Sequence, residues 1–537
     1  MTLGDLLAEA AARAPALDAV VFPDERLDFA ALAARAGELA RGLIGLGVAP
    51  GDRVGILLAN SPDGAVLLFA CALAGAVAVP VNTRYRAVEL PFVIADAGLR
   101  IVVTSDRIDE HVDLAGLLHE ALPGLADAPD PAALELAGAP ELRCVVALGA
   151  TPRAGLLGED DLTARAVAVA GDDLARRGAG GALGDDALLL YTSGTTASPR
   201  GCRISHDAIV RNWTMVAGVL GLGEGDRLWA PCPLFHLAAI GPLVSCVRTR
   251  AAFVSDTWFE PRRALDLVVA QRATHLYPAY PPITQRLLAQ EGFDAASLTA
   301  AQVIVNVGPP DLLRQMQAAL PGVVQLSLYG STEGGGAITY GALDEDLETR
   351  ITTCGRPLPG TEVRIAQPGT DAPLPAGQEG EIQVRSPVLF GGYANDEAKT
   401  AAAFHAEGWY RTGDRGALDD AGRLRFLGRL KDMLKVGGEN VAPAELESLL
   451  ATHPAVKLVR VVGVPDPRLE EVPAAFVELR PGAQATPEEL IAFCRERIAR
   501  FKVPRHVRLV TSWPMSATKI QKGPLRDGLV AELGPAP

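Results

Sequence analysis

The chain has few of the features that mark a secreted or disulfide-stabilised protein. Its 537 residues include only seven cysteines, which are scattered without a single Cys-x-x-Cys pair. This spacing argues against a disulfide framework and a structural zinc site, and it fits a reducing compartment. The first five residues, Met-Thr-Leu-Gly-Asp, also lack the basic and then apolar order of a signal peptide. We therefore expect a cytoplasmic protein.

Positive charge and long apolar runs are also scarce. Lysine and arginine number 50 against 64 aspartate and glutamate residues, a net charge of −14, which argues against non-specific binding to nucleic acid or to an anionic membrane. The longest apolar run, residues 64–81, is near the lower limit for crossing a bilayer. It is mostly Ala, Gly and Val and contains Pro80. We predict a buried helix leading into a strand, and no membrane span.

Length and patterning predict an α/β protein with more than one globular unit. A chain of 537 residues is too long for a single core. Residues 1–120 alternate helical and strand patterns, including a helix predicted at 29–46 and a strand at 53–58. Such alternation is typical of parallel sheets covered by helices.

The rest of the chain divides less evenly. Residues 120–185 are rich in Ala, Pro, Asp and Gly with weak periodicity, so we predict a variable excursion there. Alternation resumes over 186–428, where strands at 362–365 and 381–384 indicate a more β-rich portion. Beyond it, a helix is predicted to open at Pro443, because proline suits a first turn.

The most informative segment is residues 191–201, Tyr-Thr-Ser-Gly-Thr-Thr-Ala-Ser-Pro-Arg-Gly, which follows an apolar run typical of a buried strand. Its glycines let the backbone approach a ligand, and successive N–H groups in such a turn form an anion-binding concavity. The hydroxyl side chains add neutral donors, and Arg200 adds a planar cation suited to phosphate. The Gly-Lys-Ser/Thr ending of a Walker loop is missing. A polyphosphate-binding loop is predicted, with a plain surface turn as the alternative.

Further segments follow this loop in a distinctive order. They are Tyr-Gly-Ser-Thr-Glu at 329–333, Tyr-Arg-Thr-Gly-Asp at 410–414, Gly-Arg-Leu-Lys-Asp at 428–432, Lys435 with two glycines at 437 and 438, and Thr-Lys-Ile-Gln-Lys at 518–522. In this order they resemble the adenylate-forming superfamily, which includes acyl-CoA synthetases, adenylation domains of nonribosomal peptide synthetases and luciferases. The resemblance runs over essentially the whole chain.

The resemblance implies both a fold and a reaction. The fold is α/β: a large N-terminal domain (1–429) of stacked mixed and parallel sheets with helices and a β-rich subdomain, a hinge (430–432), and a small mobile C-terminal α+β domain (433–537). In the reaction, ATP converts a carboxylic acid into an acyl-adenylate with release of pyrophosphate, and the thiol of CoA then displaces AMP. The expected cofactors are ATP, Mg²⁺ and CoA.

The residues that match the family motifs take their roles from it. The β- and γ-phosphates are assigned to Thr192, Ser193, Gly194, Thr195, Thr196 and Arg200. Adenine and the α-phosphate are assigned to Tyr329, Gly330, Ser331 and Thr332, with Gly308, Pro309 and Pro310 on the other face of adenine. Glu333 is the expected Mg²⁺ ligand. Asp414 is expected to accept hydrogen bonds from the ribose beside Arg429, and Lys519 to bridge the carboxylate and the α-phosphate, with Lys522 as the competing lysine.

The second half-reaction in this family uses a rotated C-terminal domain. Lys431 matches the hinge residue, and Gly437 and Gly438 match the backbone that meets the tunnel for the thiol. Lys435 matches a second lysine that serves thioester formation, with a solvated surface charge as the alternative. His236 either gates the thiol tunnel or only packs at the mouth of the acid pocket.

The acid itself is weakly specified. Candidate pocket walls are mixed aromatic and small residues: Trp213, Phe235, His236, Tyr277, Tyr280, Asn306, Gly334 and Gly335. No basic residue stands out to pair a second carboxylate, so an aryl or medium-sized aliphatic acid is expected. The expected partners are this acid and CoA, with a carrier protein as an alternative acceptor and a homodimer left open.

Some residues depart from the family pattern. Ala197 stands where the family usually has glycine, Arg200 where it has lysine, and the motif before Lys519 is one residue shorter. Two alternatives therefore remain beside the acid–CoA ligase. One is an adenylating enzyme that passes its acid to a carrier-protein thiol or an amine. The other is a nucleotide-binding relative that has lost turnover.

Overall fold

The computed structural model describes residues 1–149, 151–192, 199–405, 407–436, 439–498, 500–515 and 520–534. The chain divides into two compact units. The first comprises Met1–Gly308, Leu312–Glu362 and Arg385–Phe404, and the second comprises Pro309–Asp311, Val363–Val384 and His405–Pro537.

The first unit contains two mainly parallel sheets. The strands are β1 (Asp18–Val21), β2 (Arg26–Asp28), β3 (Arg53–Ile56), β4 (Val77–Pro80), β5 (Leu99–Ser105), β6 (Cys144–Leu148), β7 (Leu157–Gly158), β8 (Asp186–Thr192), β9 (Arg200–Ser205), β10 (Arg227–Trp229), β11 (Ala252–Val254), β12 (His275–Ala279), β13 (Val303–Asn306) and β14 (Val324–Leu326). One sheet has the order β7-β6-β5-β3-β4-β8-β9, and the other has the order β14-β13-β12-β10-β11-β1-β2. The pairs β8–β9 and β1–β2 are antiparallel.

Antiparallel sheets follow in the chain. The three-strand sheet β15 (Leu328–Tyr329), β16 (Thr339–Tyr340) and β17 (Arg356–Pro357) belongs to the first unit. The second unit contains the sheet β18 (Glu362–Ala366), β19 (Gly380–Arg385), β20 (Tyr410–Leu418) and β21 (Leu424–Arg429), apart from its end residues. It also contains a sheet of β22 (Leu434–Val436), β23 (Glu439–Val441), β24 (Val456–Asp466), β25 (Glu470–Leu479) and β26 (His506–Leu509).

Helices connect and cover these strands, as the alternating sequence pattern predicts. They are α1 (Leu3–Arg13), α2 (Phe29–Gly45), α3 (Pro62–Ala74), α4 (Leu90–Asp96), α5 (Leu114–Ala121), α6 (Glu159–Ala168), α7 (Gly171–Gly180), α8 (His206–Leu220), α9 (Leu237–Thr249), α10 (Pro261–Ala270), α11 (Pro281–Leu288), α12 (Pro310–Ala319), α13 (Leu347–Thr352), α14 (Glu397–Ala403), α15 (Pro443–Ala451), α16 (Pro487–Arg495) and α17 (Lys522–Leu533).

The longest apolar run folds as predicted, into the buried helix α3 followed by β4. Ser61 caps α3 by accepting a hydrogen bond from the N–H of Gly64, and Gly75 ends it in the left-handed conformation with a φ of 74°. Both are preferred residue types at helix termini. Within the described residues, no helix combines the length and hydropathy that a membrane span needs.

The segment predicted to form a variable excursion, residues 120–185, contains regular elements that its weak periodicity did not indicate. Strand β6 lies inside the first sheet, paired in parallel with β5, and helices α6 and α7 follow it. All five residues of β6 are buried. The short apolar run 144–148 is hidden by the small and polar residues around it, so composition over a long window obscures the strand.

A continuous core fixes the strand that leads into the predicted phosphate loop. Leu189 and Tyr191 of β8 pack in one apolar cluster with residues of α4, α5 and β6. The Tyr191 hydroxyl also donates a hydrogen bond of 2.6 Å to Asp96. The end of β8 is therefore held rigidly by packing and by a charge-assisted hydrogen bond.

Candidate active site

The predicted phosphate loop joins two paired strands. Thr192 and Arg200 are opposite each other in the β8–β9 ladder, so the ends of the loop are held together. Four residues assigned to the phosphates lie outside the described residues: Ser193, Gly194, Thr195 and Thr196. The two flanking assignments, Thr192 and Arg200, are therefore the ones that the structure can place.

Residues 329–337 form a tight loop between β15 and β16. The Gly334 N–H donates to the Ser331 hydroxyl at 3.1 Å, and the Gly336 N–H donates to the Ser331 carbonyl at 3.0 Å. A Cβ on Gly330 would lie 1.8 Å from the Gly336 carbonyl oxygen, and Gly336 itself has a φ of 120°. Only glycine fits either position. The loop thus fixes the backbone that carries Thr332 and Glu333.

Glu333 is held by a residue that the sequence analysis missed. The Tyr393 hydroxyl donates a hydrogen bond of 3.1 Å to Oε1 of Glu333, and the Phe390 N–H donates to the Glu333 carbonyl at 2.9 Å. The Arg200 guanidinium lies 5.8 Å from the centroid of the Tyr393 ring. The structure therefore brings the expected Mg²⁺ ligand and the expected phosphate-binding cation to the same tyrosine.

The sequence does contain a signal for this segment. Two glycines precede the tyrosine in Phe390-Gly-Gly-Tyr, and Gly392 has a φ of 114° with Thr400 so close that a Cβ would lie 2.7 Å from its methyl group. Such a position requires glycine. Paired glycines before an aromatic residue could therefore have marked a close approach of backbone to another element.

The second unit contains the two residues assigned to the ribose. Asp414 and Arg429 are cross-strand partners in β20 and β21, and Nε of Arg429 lies 3.0 Å from Oδ1 of Asp414. Asp414 is buried, and the Thr412 hydroxyl accepts a hydrogen bond from its N–H at 3.0 Å. A buried carboxylate needs a nearby positive charge or hydrogen-bond donors, and the Arg429 guanidinium supplies that charge. The structure thus brings Asp414 and Arg429 together, as the motif order implies.

Trp213, one of the candidate walls of the acid pocket, is packed in the interior of the first unit. Trp213 in α8 is 2% exposed, and its ring meets that of Tyr277 edge-on at 6.2 Å. A Cβ added to Gly241 of α9 would lie 1.9 Å from the indole ring, and one added to Gly336 would lie 2.8 Å from it. Asn212 bonds the Ala337 carbonyl at 2.8 Å and so ties α8 to the glycine loop.

Two more candidate pocket residues, Phe235 and His236, also belong to the first unit. His236 precedes α9, and its ring lies 4.7 Å from that of Phe235. Asn60 fixes this segment, because its side chain donates to the Cys232 carbonyl at 2.9 Å and accepts from the Leu234 N–H at 2.7 Å. Asn60 is a second positioning residue that the sequence analysis did not single out.

Not all the wall residues face the same surroundings. Tyr280 is 44% exposed and immediately precedes α11. Asn306 is buried, accepting from the Thr284 hydroxyl at 2.7 Å and donating to Gln325 at 3.2 Å. Its amide is therefore engaged within the protein. Gly334 and Gly335 belong to the glycine loop described above.

Three predicted residues lie outside the described residues: Lys519, Gly437 and Gly438. The backbone at Lys431 forms a short 3₁₀ helix, and that at Lys435 lies in β22. The competing lysine has a structural partner instead, since Nζ of Lys522 lies 2.8 Å from Glu447.

The AMP-binding enzyme family matches residues 7–394, and the AMP-binding enzyme C-terminal domain matches residues 445–519. A "3-[(3aS,4S,7aS)-7a-methyl-1,5-dioxo-octahydro-1H-inden-4-yl]propanoyl:CoA ligase" of Mycobacterium tuberculosis is 37% identical, covering 91% of each chain. The "Medium-chain acyl-CoA ligase ACSF2, mitochondrial" of Rattus norvegicus is 33% identical, covering 99% of this chain and 88% of that protein.

A solved structure extends the likeness to three dimensions. The anthranilate CoA ligase AuaEII in complex with anthranoyl-AMP superposes with a TM-score of 0.85, at 26% identity, covering 99% of this chain and 98% of that chain. The chain belongs to the AMP-binding enzyme family. Within that family it is an AMP-forming acid–CoA ligase of the acyl-CoA synthetase branch, and this confirms the predicted activity, the α/β fold class and the use of ATP, Mg²⁺ and CoA.

Proposed function

We propose that this ligase activates its acid with the residues assigned from the motifs. The ATP phosphates are held by the loop from Thr192 to Arg200, the ribose by Asp414 and Arg429, and the metal by Glu333. The observation that carries the proposal is the shared contact at Tyr393, which lies between the Glu333 carboxylate and the Arg200 guanidinium. A metal ligand and a phosphate-binding cation need to be neighbours when both act on one polyphosphate.

The chemistry requires positive charge at this place. The acid carboxylate must attack the α-phosphorus, and two unit charges about 4 Å apart repel by about 4 kcal/mol at an effective dielectric near 20. Arg200 and Lys519 reduce this repulsion, and their effect is largest as charge builds in the transition state. Lys519 is favoured over Lys522 for this role because Lys522 is paired with Glu447.

The single carboxylate of Glu333 suits a Mg²⁺ ion that binds together with a nucleotide. No cluster of three or more His, Cys, Asp or Glu residues occurs in the part of the chain that the structure describes. Mg²⁺ commonly takes one or two carboxylates and completes its shell with substrate phosphates and water. Glu333 would supply that carboxylate, and the bound ion would neutralise phosphate charge as pyrophosphate leaves.

The acid is proposed to be of intermediate size and largely apolar. The candidate wall residues are aromatic and small, and Trp213 among them is buried. The relatives support this range, since one is named for a medium-chain acyl group and another for a bicyclic dioxo-indenyl propanoyl group. A medium-sized aliphatic acid fits these two names, and the anthranilate CoA ligase AuaEII extends the range to an aryl acid.

The second step is proposed to follow a rotation of the C-terminal domain. We place the domain boundary at the hinge 430–432, between domains of residues 1–429 and 433–537, with Lys431 as the turning residue. Rotation would withdraw Lys519 and present Lys435, Gly437 and Gly438 to the incoming thiol. A cytoplasmic location is part of this proposal, because most of the cysteines are buried as free thiols.

Isotope exchange tests the first step directly. Radiolabelled pyrophosphate should exchange into ATP only when a suitable acid is present, and a panel of acids would identify the preferred class. Added CoA should then yield a thioester. Exchange without a CoA thioester would favour a carrier-protein thiol or an amine as acceptor, and no exchange with any acid would refute the proposal.

A further inference from the structure

Residues 390–394 add a short antiparallel stretch to the edge of the first sheet. The Gly391 N–H donates to the Arg203 carbonyl at 2.7 Å, the Arg203 N–H donates to the Gly392 carbonyl at 3.0 Å, and the Ala394 N–H donates to the Gly201 carbonyl at 2.8 Å. Cys202 and Tyr393 form the bridge between them. The segment is therefore fastened to β9, the strand that leaves the phosphate loop.

The same segment is fastened to the metal-binding loop. Phe390 bonds the main chain of Glu333 and Tyr393 bonds its carboxylate. Tyr393 is itself fixed, because its N–H donates to the Thr400 hydroxyl at 2.9 Å and its ring meets Phe390 edge-on at 4.9 Å. These restraints leave the hydroxyl little freedom to leave Glu333.

The protonated hydroxyl of Tyr393 can act as a lasting hydrogen-bond donor to Glu333. A tyrosine hydroxyl ordinarily titrates at about pH 10, so it is protonated and able to donate at neutral pH. A carboxylate that accepts a hydrogen bond on one oxygen is restricted in rotation, so its direction toward a bound ion is set in advance.

We propose that Tyr393 is a positioning residue, whose hydroxyl holds one oxygen of Glu333 and so orients that carboxylate for Mg²⁺ bound with ATP. The inference rests on the proposed role of Glu333. It adds that residues 390–394 couple the metal ligand to the phosphate-loop strand, because one segment bonds both. Residues of this kind typically contribute tenfold to a hundredfold to metal affinity or activity.

Nucleotide binding with and without metal tests the proposal apart from turnover. Isothermal titration without acid would give the Kd of ATP in the presence of Mg²⁺ and in the presence of EDTA. Tyr393→Phe should raise the Kd of the magnesium complex about tenfold to a hundredfold and leave that of metal-free ATP unchanged. The variant keeps the aromatic ring beneath Arg200, so the change is confined to the hydroxyl.

Trp229→Phe is the control. It removes another hydrogen bond from an aromatic donor to a carboxylate, that of the Trp229 indole N–H to Asp256 at 2.9 Å, at residues with no assigned role in binding ATP. It should therefore lower stability without changing the dependence of ATP binding on Mg²⁺. Equal weakening of both ATP forms by Tyr393→Phe would overturn the proposal by indicating a general disturbance.

Glu333→Gln distinguishes the positioning role proposed for Tyr393 from the metal-ligand role proposed for Glu333, on which it depends. If Glu333→Gln leaves the Kd of magnesium–ATP unchanged, the role proposed for Glu333 is wrong, and with it the positioning role. If Glu333→Gln weakens that complex while Tyr393→Phe does not, the metal ligand stands and only the positioning role is refuted.

Discussion

The contact between Trp213 and Gly241 makes a strong prediction about packing. A Cβ on Gly241 would lie 1.9, 2.0 and 2.2 Å from three indole atoms, whereas carbon atoms pack at about 3.5–4.0 Å. The ring cannot simply slide away, because the Ser245 hydroxyl, one turn along α9, holds the Trp213 carbonyl at 2.7 Å. Gly241→Ala must therefore separate α8 from α9 or rotate the indole.

The loss of stability expected for Gly241→Ala follows from the usual cost of overpacking a protein core. Overpacking of a core by a methyl group typically costs about 1–3 kcal/mol, and a rigid buried ring belongs at the upper end. At roughly 2–4 °C per kcal/mol for domains of about 150–250 residues, the melting temperature should fall by roughly 6–12 °C. Differential scanning fluorimetry measures this shift. Gly218→Ala in α8 is the control, since nothing lies within 4 Å of its added Cβ, and it should be neutral or slightly stabilising.

A second substitution tests the stated cause. Trp213→Leu removes the ring atoms that the new methyl group would overlap, so Gly241→Ala should cost little in that background. The double variant should be more stable than the sum of the single losses by about 1–3 kcal/mol. An equal cost of Gly241→Ala in both backgrounds would show that the indole overlap is not the cause.

Three further variants probe the nucleotide site and the fold. Lys519→Ala should slow pyrophosphate exchange by on the order of a hundredfold to a thousandfold while thioester formation from supplied acyl-adenylate survives; equal loss of both would refute the division of roles. Asp414→Asn should raise the KM for ATP about tenfold to a hundredfold, from hydrogen bonds to a charged group worth about 1.5–3 kcal/mol, and an unchanged KM would contradict its ribose role. His206 accepts a hydrogen bond from the Leu3 N–H at 3.3 Å, and burial lowers its pKa. Neutral His206 therefore contributes fully to the free energy of unfolding above pH 6.5, which is about the pKa of histidine in the unfolded chain. This contribution is lost as the pH falls below that value, because the unfolded chain takes up a proton there and the folded chain does not. His206→Asn should flatten the fall in melting temperature between about pH 7 and pH 5, and an unchanged slope would exclude His206 as its source.

Local sequence patterns predicted many of the strands and helices and gave the order of the site motifs along the chain. The apolar run before the phosphate loop became β8, and the helix predicted at Pro443 became α15. These succeed because period and capping residues act within a few positions. Strand β6 was missed since a five-residue apolar run among small residues has no period long enough to detect.

Contacts between distant residues were the part that pattern could not predict. Tyr393 meets Glu333 across 60 positions in the chain, and no local rule specifies which carboxylate a tyrosine will find. The fit of Trp213 to Gly241 and Gly336 is equally non-local. Glycines carry such information indirectly, because each absent side chain leaves room for something that only the folded chain identifies.

The contact between Arg200 and Tyr393 suggests a physical reason for one departure from the family pattern. Arg200 stands where lysine is usual, and its planar guanidinium lies over the Tyr393 ring at a distance suited to cation–π attraction. An ammonium group is more strongly hydrated and has no plane to stack. Arginine therefore ties the charge proposed to bind phosphate to the same tyrosine that bonds the proposed metal ligand. In this chain the cation and the carboxylate are positioned by one residue, so a change at Tyr393 that removes the ring should disturb both, whereas removal of the hydroxyl alone should disturb only the metal.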